Sequence, residues 1–242
     1  MHRVVLVTGA ARGIGRAIAL RFAIAGYHVV INSLKDKTSL DGLKQEIEAN
    51  GVSCLSFLGD MGNYEDVSNL FALIKGTFGT IDILINNAGI SHVGLFTDMN
   101  PDEYQALIST NLVSVMNCCH KAVPIMVQNK SGVILNISSV WGNVGASCEA
   151  VYSATKGGIN SFTKALGKEL APSNICVNAL ACGAIDTTMN ACFSNEELLA
   201  LKDDIPAGRL ASPEEVAEFA YLLCNGPGYL NGQIITFDGA WT

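Results

Sequence analysis

The chain has 242 residues, 49% of them hydrophobic and only 15% charged, with 24 glycines; the length allows one domain or two, and the composition excludes disorder and predicts a large buried core. A formal net charge of -7 without any cluster of Lys and Arg excludes a general nucleic-acid or anionic-membrane surface, because phosphate binding needs grouped cations. No apolar run reaches the ~20 residues of a bilayer span, and MHRVVLVTGAARG lacks the long apolar stretch and cleavage site of a signal peptide, so a cytoplasmic protein is expected.

Short β-rich apolar runs alternate with longer helical patterns, the signature of a parallel sheet covered by helices on both faces. In chain order the pattern predicts a strand at 4–7, a helix at 14–25, a strand at 28–32, a helix at 40–50 and a strand at 53–57. A helix at 64–78, a strand at 81–86, one long helix at 101–128 and a strand at 133–137 come next. A helix at 151–170, a strand at 176–180, a helix at 213–223 and a strand at 233–237 complete it. Asn100 before Pro101, and Ser212 before Pro213 with Glu215 three residues on, are helix-start signals. The expected fold is α/β: a Rossmann-type doubly wound sheet of seven parallel strands, with residues 1–242 forming one dinucleotide-binding and catalytic domain. The weaker pattern from Ala184 to Arg209 reads as a mobile flap beside the site.

Eight cysteines, at 54, 118, 119, 148, 176, 182, 192 and 224, form no CxxC pair, and the histidines at 2, 28, 92 and 120 show no ligand spacing. Reduced, mostly buried thiols and no metal are expected.

TGAARGIG follows the first strand and opens the first helix. Gly9 allows a tight turn, Gly13 lets the backbone approach a pyrophosphate, and Gly15 lets helix and strand pack closely, while the helix N-terminus offers N–H groups to the anion. Alone, such a turn is a weak signal; its place in the strand–helix order makes it a dinucleotide candidate. Asp60 after the third strand, and NNAG (Asn86 to Gly89) after the fourth, lie at the carboxyl ends of strands, where ligands of such sheets bind. No acid sits at the tip of the second strand, which runs into Ser33, Leu34 and Lys35. Arg12 and Lys35 can meet a 2′-phosphate, which favours NADP(H), and Asp36 keeps NAD(H) open.

Tyr152 and Lys156, at i and i+4, share a helix face, with Ser139 upstream at the end of the fifth strand. A tyrosine of unperturbed pKa ~10 is a poor catalyst near neutrality; Lys156 beneath the phenol, helped by the positive nicotinamide of the oxidised cofactor, is expected to depress that value.

These residues resemble the short-chain dehydrogenases/reductases. The resemblance runs over essentially the whole chain, through TGAARGIG, Asp60, NNAG, Asn111, the ISS ending at Ser139, and YSATK from Tyr152 to Lys156. It implies an NAD(P)-dependent ketone/secondary-alcohol oxidoreductase in which Tyr152 is the general acid of reduction and Ser139 hydrogen-bonds the carbonyl. Lys156 would hold the ribose and tune Tyr152, and Asn111 would anchor a relay water. The cofactor set it implies is Gly9, Arg12, Gly13, Ile14, Gly15, Ser33, Lys35, Asp60, Met61, Asn87, Ala88 and Gly89, with Tyr152, Lys156, Gly183, Ile185 and Thr187; the substrate set is Ser139, Trp141, Glu149 and Tyr152.

Within that family the chain looks most similar to the 3-oxoacyl-[acyl-carrier-protein] reductase branch of fatty acid biosynthesis, which implies an acyl carrier protein as partner. Lys130 stands where that branch carries a basic residue, but Ser173 stands where a second is often found. Cys182 replaces the usual proline before Gly183, freeing the backbone torsion and opening a reactive-thiol reading. SVWGNVGASCEAVY and ACGAIDTTMN resemble reductases acting on the 5-aminopentanone-modified lysine of elongation factor P. In that alternative Glu149, otherwise a solvated loop acid, would pair with the substrate's amine. A non-catalytic dinucleotide sensor is the alternative of another class. The family also implies a homotetramer; Val113, Val115, Met116 and the apolar positions of 159–170 fit burial at contacts or in the protomer's own core.

Overall fold

In the computed structural model, residues 2–190 and 193–242 are described. Seven parallel strands form one sheet in the order β3-β2-β1-β4-β5-β6-β7. They are β1 (Val4–Val7), β2 (His28–Ser33), β3 (Cys54–Leu58), β4 (Ile83–Asn86), β5 (Gly132–Ser139), β6 (Ile175–Cys182) and β7 (Ile234–Phe237). Strand β1 pairs β2 on one side and β4 on the other, so the winding reverses there and the strand ends splay a crevice between two sets of loops.

The inner strands are apolar on both faces because helices cover both. Val5 and Val7 of β1 join Val29, Ile31, Ile83 and Ile85 in one core layer, under α1 (Gly13–Ile24), α2 (Lys37–Glu48) and α9 (Pro213–Cys224). Val4 and Leu6 turn the other way with Val30 and Leu84, under α3 (Tyr64–Phe78), α5 (Ser114–Asn129) and α7 (Ala150–Leu170). This period-two partition fixes the register, since a one-residue slip would exchange the two layers. Val115 and Ile159 are buried in the second layer, so these two face the protomer's own core, whereas Met116 is exposed.

Three expectations are corrected. The helix expected over 101–128 is α4 (Pro101–Ile108), a five-residue π turn at Ser109–Val113, and then α5. A π turn carries an extra residue per turn, and here the Asn111 amide is bonded to the backbone of Ile90 instead of lying on a regular helix face. A short helix, α6 (Trp141–Val144), follows β5. The region of weaker pattern, read as a mobile flap, holds α8 (Asn195–Asp204), none of whose residues is fully buried; it is announced by the capping box of Ser194 and Glu197. Of the cysteines, 54, 118, 119, 182 and 224 are buried, Cys148 is exposed and Cys176 half-buried; Cys192 lies outside the described residues.

Candidate active site

The loops after the first four strands are tied by a few polar side chains. Buried Thr8 accepts hydrogen bonds from the N–H groups of Asn87 and Ala88, both at 3.0 Å. The Asn87 amide donates back to the carbonyls of Thr8 at 2.9 Å and Gly9 at 3.1 Å. Asn32 donates to Gly59 O at 3.0 Å and accepts from Gly9 N at 3.4 Å. Sequence reasoning missed Thr8 and Asn32; an uncharged polar residue ending an apolar strand was their only signal.

This lacing leaves no room for side chains at the turn. Gly9 has φ +64°, and a Cβ there would lie 2.8 Å from Ala88 Cα; one on Gly15 would lie 2.5 Å from Gly9 O. Thr187 of the loop after β6 passes over Gly13, its methyl 3.3 Å from where that Cβ would be. Helix α1 starts at this turn without a side-chain cap, so its first N–H groups face outward unclaimed by a side chain, a fit for a pyrophosphate.

At the tip of β2, Ser33 is buried and its hydroxyl accepts from Asp36 N at 3.3 Å. Asp36 caps α2, accepting from Ser39 N at 3.0 Å; this bond, with Arg12 nearby, holds its carboxyl below the usual range. Arg12 and Lys35 are exposed. Asp60 keeps one oxygen on Gly62 N at 2.8 Å. The Met61 side chain is buried in the core beside α3, which leaves its backbone for a cofactor contact.

A cleft of about 270 Å³ joins this end to the chemical one. Ile14, Asn87, Gly89, Gly183, Ile185 and Thr187 line it together with Ser139, Trp141, Glu149, Tyr152 and Lys156. Met189, Phe193, Leu201 and Trp241 also reach it, and none of these four was foreseen. Asn111 stands behind Gly89, its Oδ1 3.4 Å from a Cβ built there, and also donates to Thr155 at 3.3 Å.

Lys156 lies beneath Tyr152 as the i, i+4 spacing predicts, its Nζ 5.6 Å from the ring centroid. Lys156 by itself does not depress the phenol. Burial pushes Tyr152 well above its ordinary value, partly opposed by the hydrogen bond from Ser139, while the acidic groups of Glu149 and Cys182 raise it further. The ammonium is instead engaged by the Ile137 carbonyl at 2.9 Å, and burial lowers Lys156 to about 8, with Cys182 opposing. Tyr152 is therefore a protonated phenol at neutrality, and Lys156 remains mostly charged.

Two other expectations change. Burial raises the Cys182 thiol to about 12, Lys156 opposing only in part, which removes the reactive-thiol reading. Glu149 is not a solvated loop acid: it is half-buried in the cleft, and desolvation raises its carboxyl, opposed in part by the polar edge of Trp141. Among the described residues, no group of three or more His, Cys, Asp or Glu is placed to hold a metal ion, and no helix is long and apolar enough to cross a membrane.

A Gly-rich turn under an open helix end, with serine, tyrosine and lysine converging on the same crevice, defines an oxidoreductase of the dinucleotide-binding α/β class. Comparison with known proteins makes the class specific: the family model of the short chain dehydrogenases matches residues 3–198. The chain belongs to the short-chain dehydrogenase/reductase family, whose members act between hydroxyl and carbonyl groups. It is 37% identical to the uncharacterized oxidoreductase YmfI of Bacillus subtilis (strain 168), over 100% of this chain and 99% of that one. It is 38% identical to 3-oxoacyl-[acyl-carrier-protein] reductase FabG of Staphylococcus aureus (strain Mu50), over 99% and 98%, and 40% identical to the 3-oxoacyl-[acyl-carrier-protein] reductase of Synechocystis, over 98% and 96%. Among solved structures, YwfH, an NADPH-dependent reductase involved in bacilysin biosynthesis, superposes with TM-score 0.92 at 29% identity, covering 100% of this chain and 99% of that one.

Proposed function

We propose that this chain, acting as one domain, is an NADP(H)-dependent reductase that turns a ketone into a secondary alcohol, with Tyr152 as proton donor. The observation that carries the reading is the half-buried phenol of Tyr152 placed with Ser139 and above Lys156 in the cleft that also meets the Gly-rich turn. Exposed Arg12 and Lys35 support a 2′-phosphate, whereas Asp36, committed to capping α2, is poorly suited to a ribose 2′-hydroxyl. The NADPH dependence stated for YwfH agrees.

When bound, the reduced nicotinamide supplies the hydride. The Ser139 hydroxyl donates to the substrate carbonyl oxygen, and Tyr152 passes its proton to that oxygen as the alkoxide develops. Because the phenol is held protonated, it is loaded for reduction at neutral pH. Lys156 holds positive charge beneath the ring and near the ribose position. Asn111, fixed through Ile90, shapes the wall behind Gly89 from which a relay water would resupply the proton.

The names of the relatives support 3-oxoacyl thioesters as substrates, with an acyl carrier protein as partner. One feature of this cleft favours a second reading, a ketone bearing an amine, as in the 5-aminopentanone-modified lysine of elongation factor P. Glu149 is a half-buried carboxylate among the lining residues, and the lone basic side chain described there, Lys156, is committed to Ile137. An acid in that position attracts a cation and contributes nothing to an acyl chain. Of the two substrates, the carboxylate favours the amino ketone.

Consumption of NADPH with a panel of 3-ketoacyl thioesters and amino ketones tests both. The amino-ketone reading expects the higher kcat/KM on the amines and a loss of roughly tenfold on them in Glu149→Gln. Equal activity of that variant on amines returns the assignment to thioesters, and no turnover with either class supports a dinucleotide sensor. An oxidoreductase of this family is also proposed to act in the cytoplasm as a homotetramer.

A further inference from the structure

Trp241 is brought into the cleft by a turn that follows β7. Asp238 accepts hydrogen bonds from Ala240 N at 3.0 Å, Thr242 N at 2.9 Å and the Thr242 hydroxyl at 3.1 Å. Between them Ala240 adopts φ +69°, a conformation a side-chain-bearing residue holds only when its surroundings impose it. The turn is braced against the end of β6, since a Cβ on Gly183 would lie 2.7 Å from Asp238 Cβ. The result is a tilted aromatic pair, Trp141 and Trp241, with ring centroids 4.7 Å apart and planes at 60°.

Both rings line the cleft that holds Ser139 and Tyr152, and Glu149 lines it beside them, so the aromatic pair and the acid share one wall. An edge-on pair covers one ring face and leaves the other available. Indole faces next to a carboxylate form the chemistry that recognises an ammonium group, tryptophan being the strongest of the aromatic partners.

We propose that Trp241, set against Trp141 by the Asp238 turn, is a specificity-determining residue that acts with Glu149 to select ketones carrying a protonated amine. The proposal rests on the amino-ketone reading above and extends it to a residue and a turn with no other assigned part in the reaction. An acyl chain would use the same rings as an apolar wall, without preference for charge, and that is the competing outcome.

The chain contains two tryptophans, and both are at this site, so tryptophan emission reports on it directly. The experiment titrates the NADP⁺-bound enzyme with pentylammonium and with 1-pentanol, a cation and a neutral molecule of the same length. Wild type is expected to bind the cation about tenfold more tightly, a difference of ~1.4 kcal/mol. Trp241→Leu is expected to lose most of that preference, binding the cation and the neutral probe within about threefold of each other. Trp241→Phe keeps a ring and retains part of the preference.

Should Trp241→Leu fail to fold, Asp238→Ala, which keeps both indoles in the chain but releases the turn that holds Trp241 against Trp141, is expected to lose the preference in the same direction. Wild type binding both probes equally, with no kinetic preference for amino ketones, would overturn the amino-ketone reading and this proposal together. A wild-type preference that survives in Trp241→Leu, or in Asp238→Ala when that is the variant that folds, would overturn this proposal alone and leave Glu149 as the selector.

Discussion

The nucleotide end and the substrate end of the cleft are built by opposite means. At the first, the loops after β1 to β4 are made of backbone, with Gly9 and Gly15 pressed against neighbouring main chain and Thr8, Asn32 and Asn87 lacing the turns. At the second, the ends of β5 and β6, the start of α7 and the turn after β7 contribute side chains from distant parts of the chain: Ser139, Cys182, Glu149, Tyr152 and Trp241. A backbone-built site is sensitive to added atoms and a side-chain-built site to removed ones. That asymmetry is what the following changes break or sharpen.

The largest effect is expected from removing one oxygen at the substrate end. Tyr152→Phe should lower kcat by about 10²- to 10⁴-fold, the usual contribution of a positioned acid, with NADPH affinity nearly unchanged; steady-state turnover and a binding titration check both. At the nucleotide end, adding one methyl should do comparable harm. In Gly15→Ala the new Cβ falls 2.5 Å from Gly9 O, so a stability loss of about 1–3 kcal/mol and much weaker NADPH binding are expected in a thermal melt and the same titration.

A smaller effect separates the two cofactors. Arg12→Ala with Lys35→Ala should reduce the NADPH-over-NADH preference in kcat/KM by roughly tenfold or more while leaving NADH kinetics little changed, as for any charge-assisted phosphate contact. An unchanged ratio would move the 2′-phosphate contact elsewhere. The smallest is in the pH profile. Burial lowers Lys156 to about 8, so its charge is present below that pH and lost as pH rises through it. The kcat/KM of reduction is expected to fall above about pH 8, as the free-enzyme profile reports. A profile flat to pH 10 would detach Lys156 from the chemistry.

The same asymmetry governs how much could be read in advance. Strands came out within two residues of their observed limits because the alternation that builds two core layers is local, as in Val4–Val7. Gly9, Gly15, Ser139, Tyr152 and Lys156 were legible because each is short-range chemistry at a strand or helix end. The π turn was not, since the bond that accompanies it runs from Asn111 to Ile90, 21 residues away. Helix α8 buries none of its residues fully and so shows only a weak apolar pattern, although Ser194 and Glu197 mark its start. Trp241 meets Trp141 across a hundred positions, and no local pattern announces such a pair. The environment of Tyr152 is legible only in part for a related reason: the i, i+4 cation is visible in sequence, whereas the burial that raises the phenol is a property of the assembled cleft.

The central claim is that a phenol kept protonated by burial serves as the acid. An ultraviolet difference titration of the free enzyme, wild type minus Tyr152→Phe, isolates its ionisation from that of the other tyrosines, such as fully exposed Tyr229. The account predicts no phenolate in the difference signal below about pH 10, the ordinary tyrosine value. A phenolate band rising between about pH 6 and 8, well below that value, would contradict it.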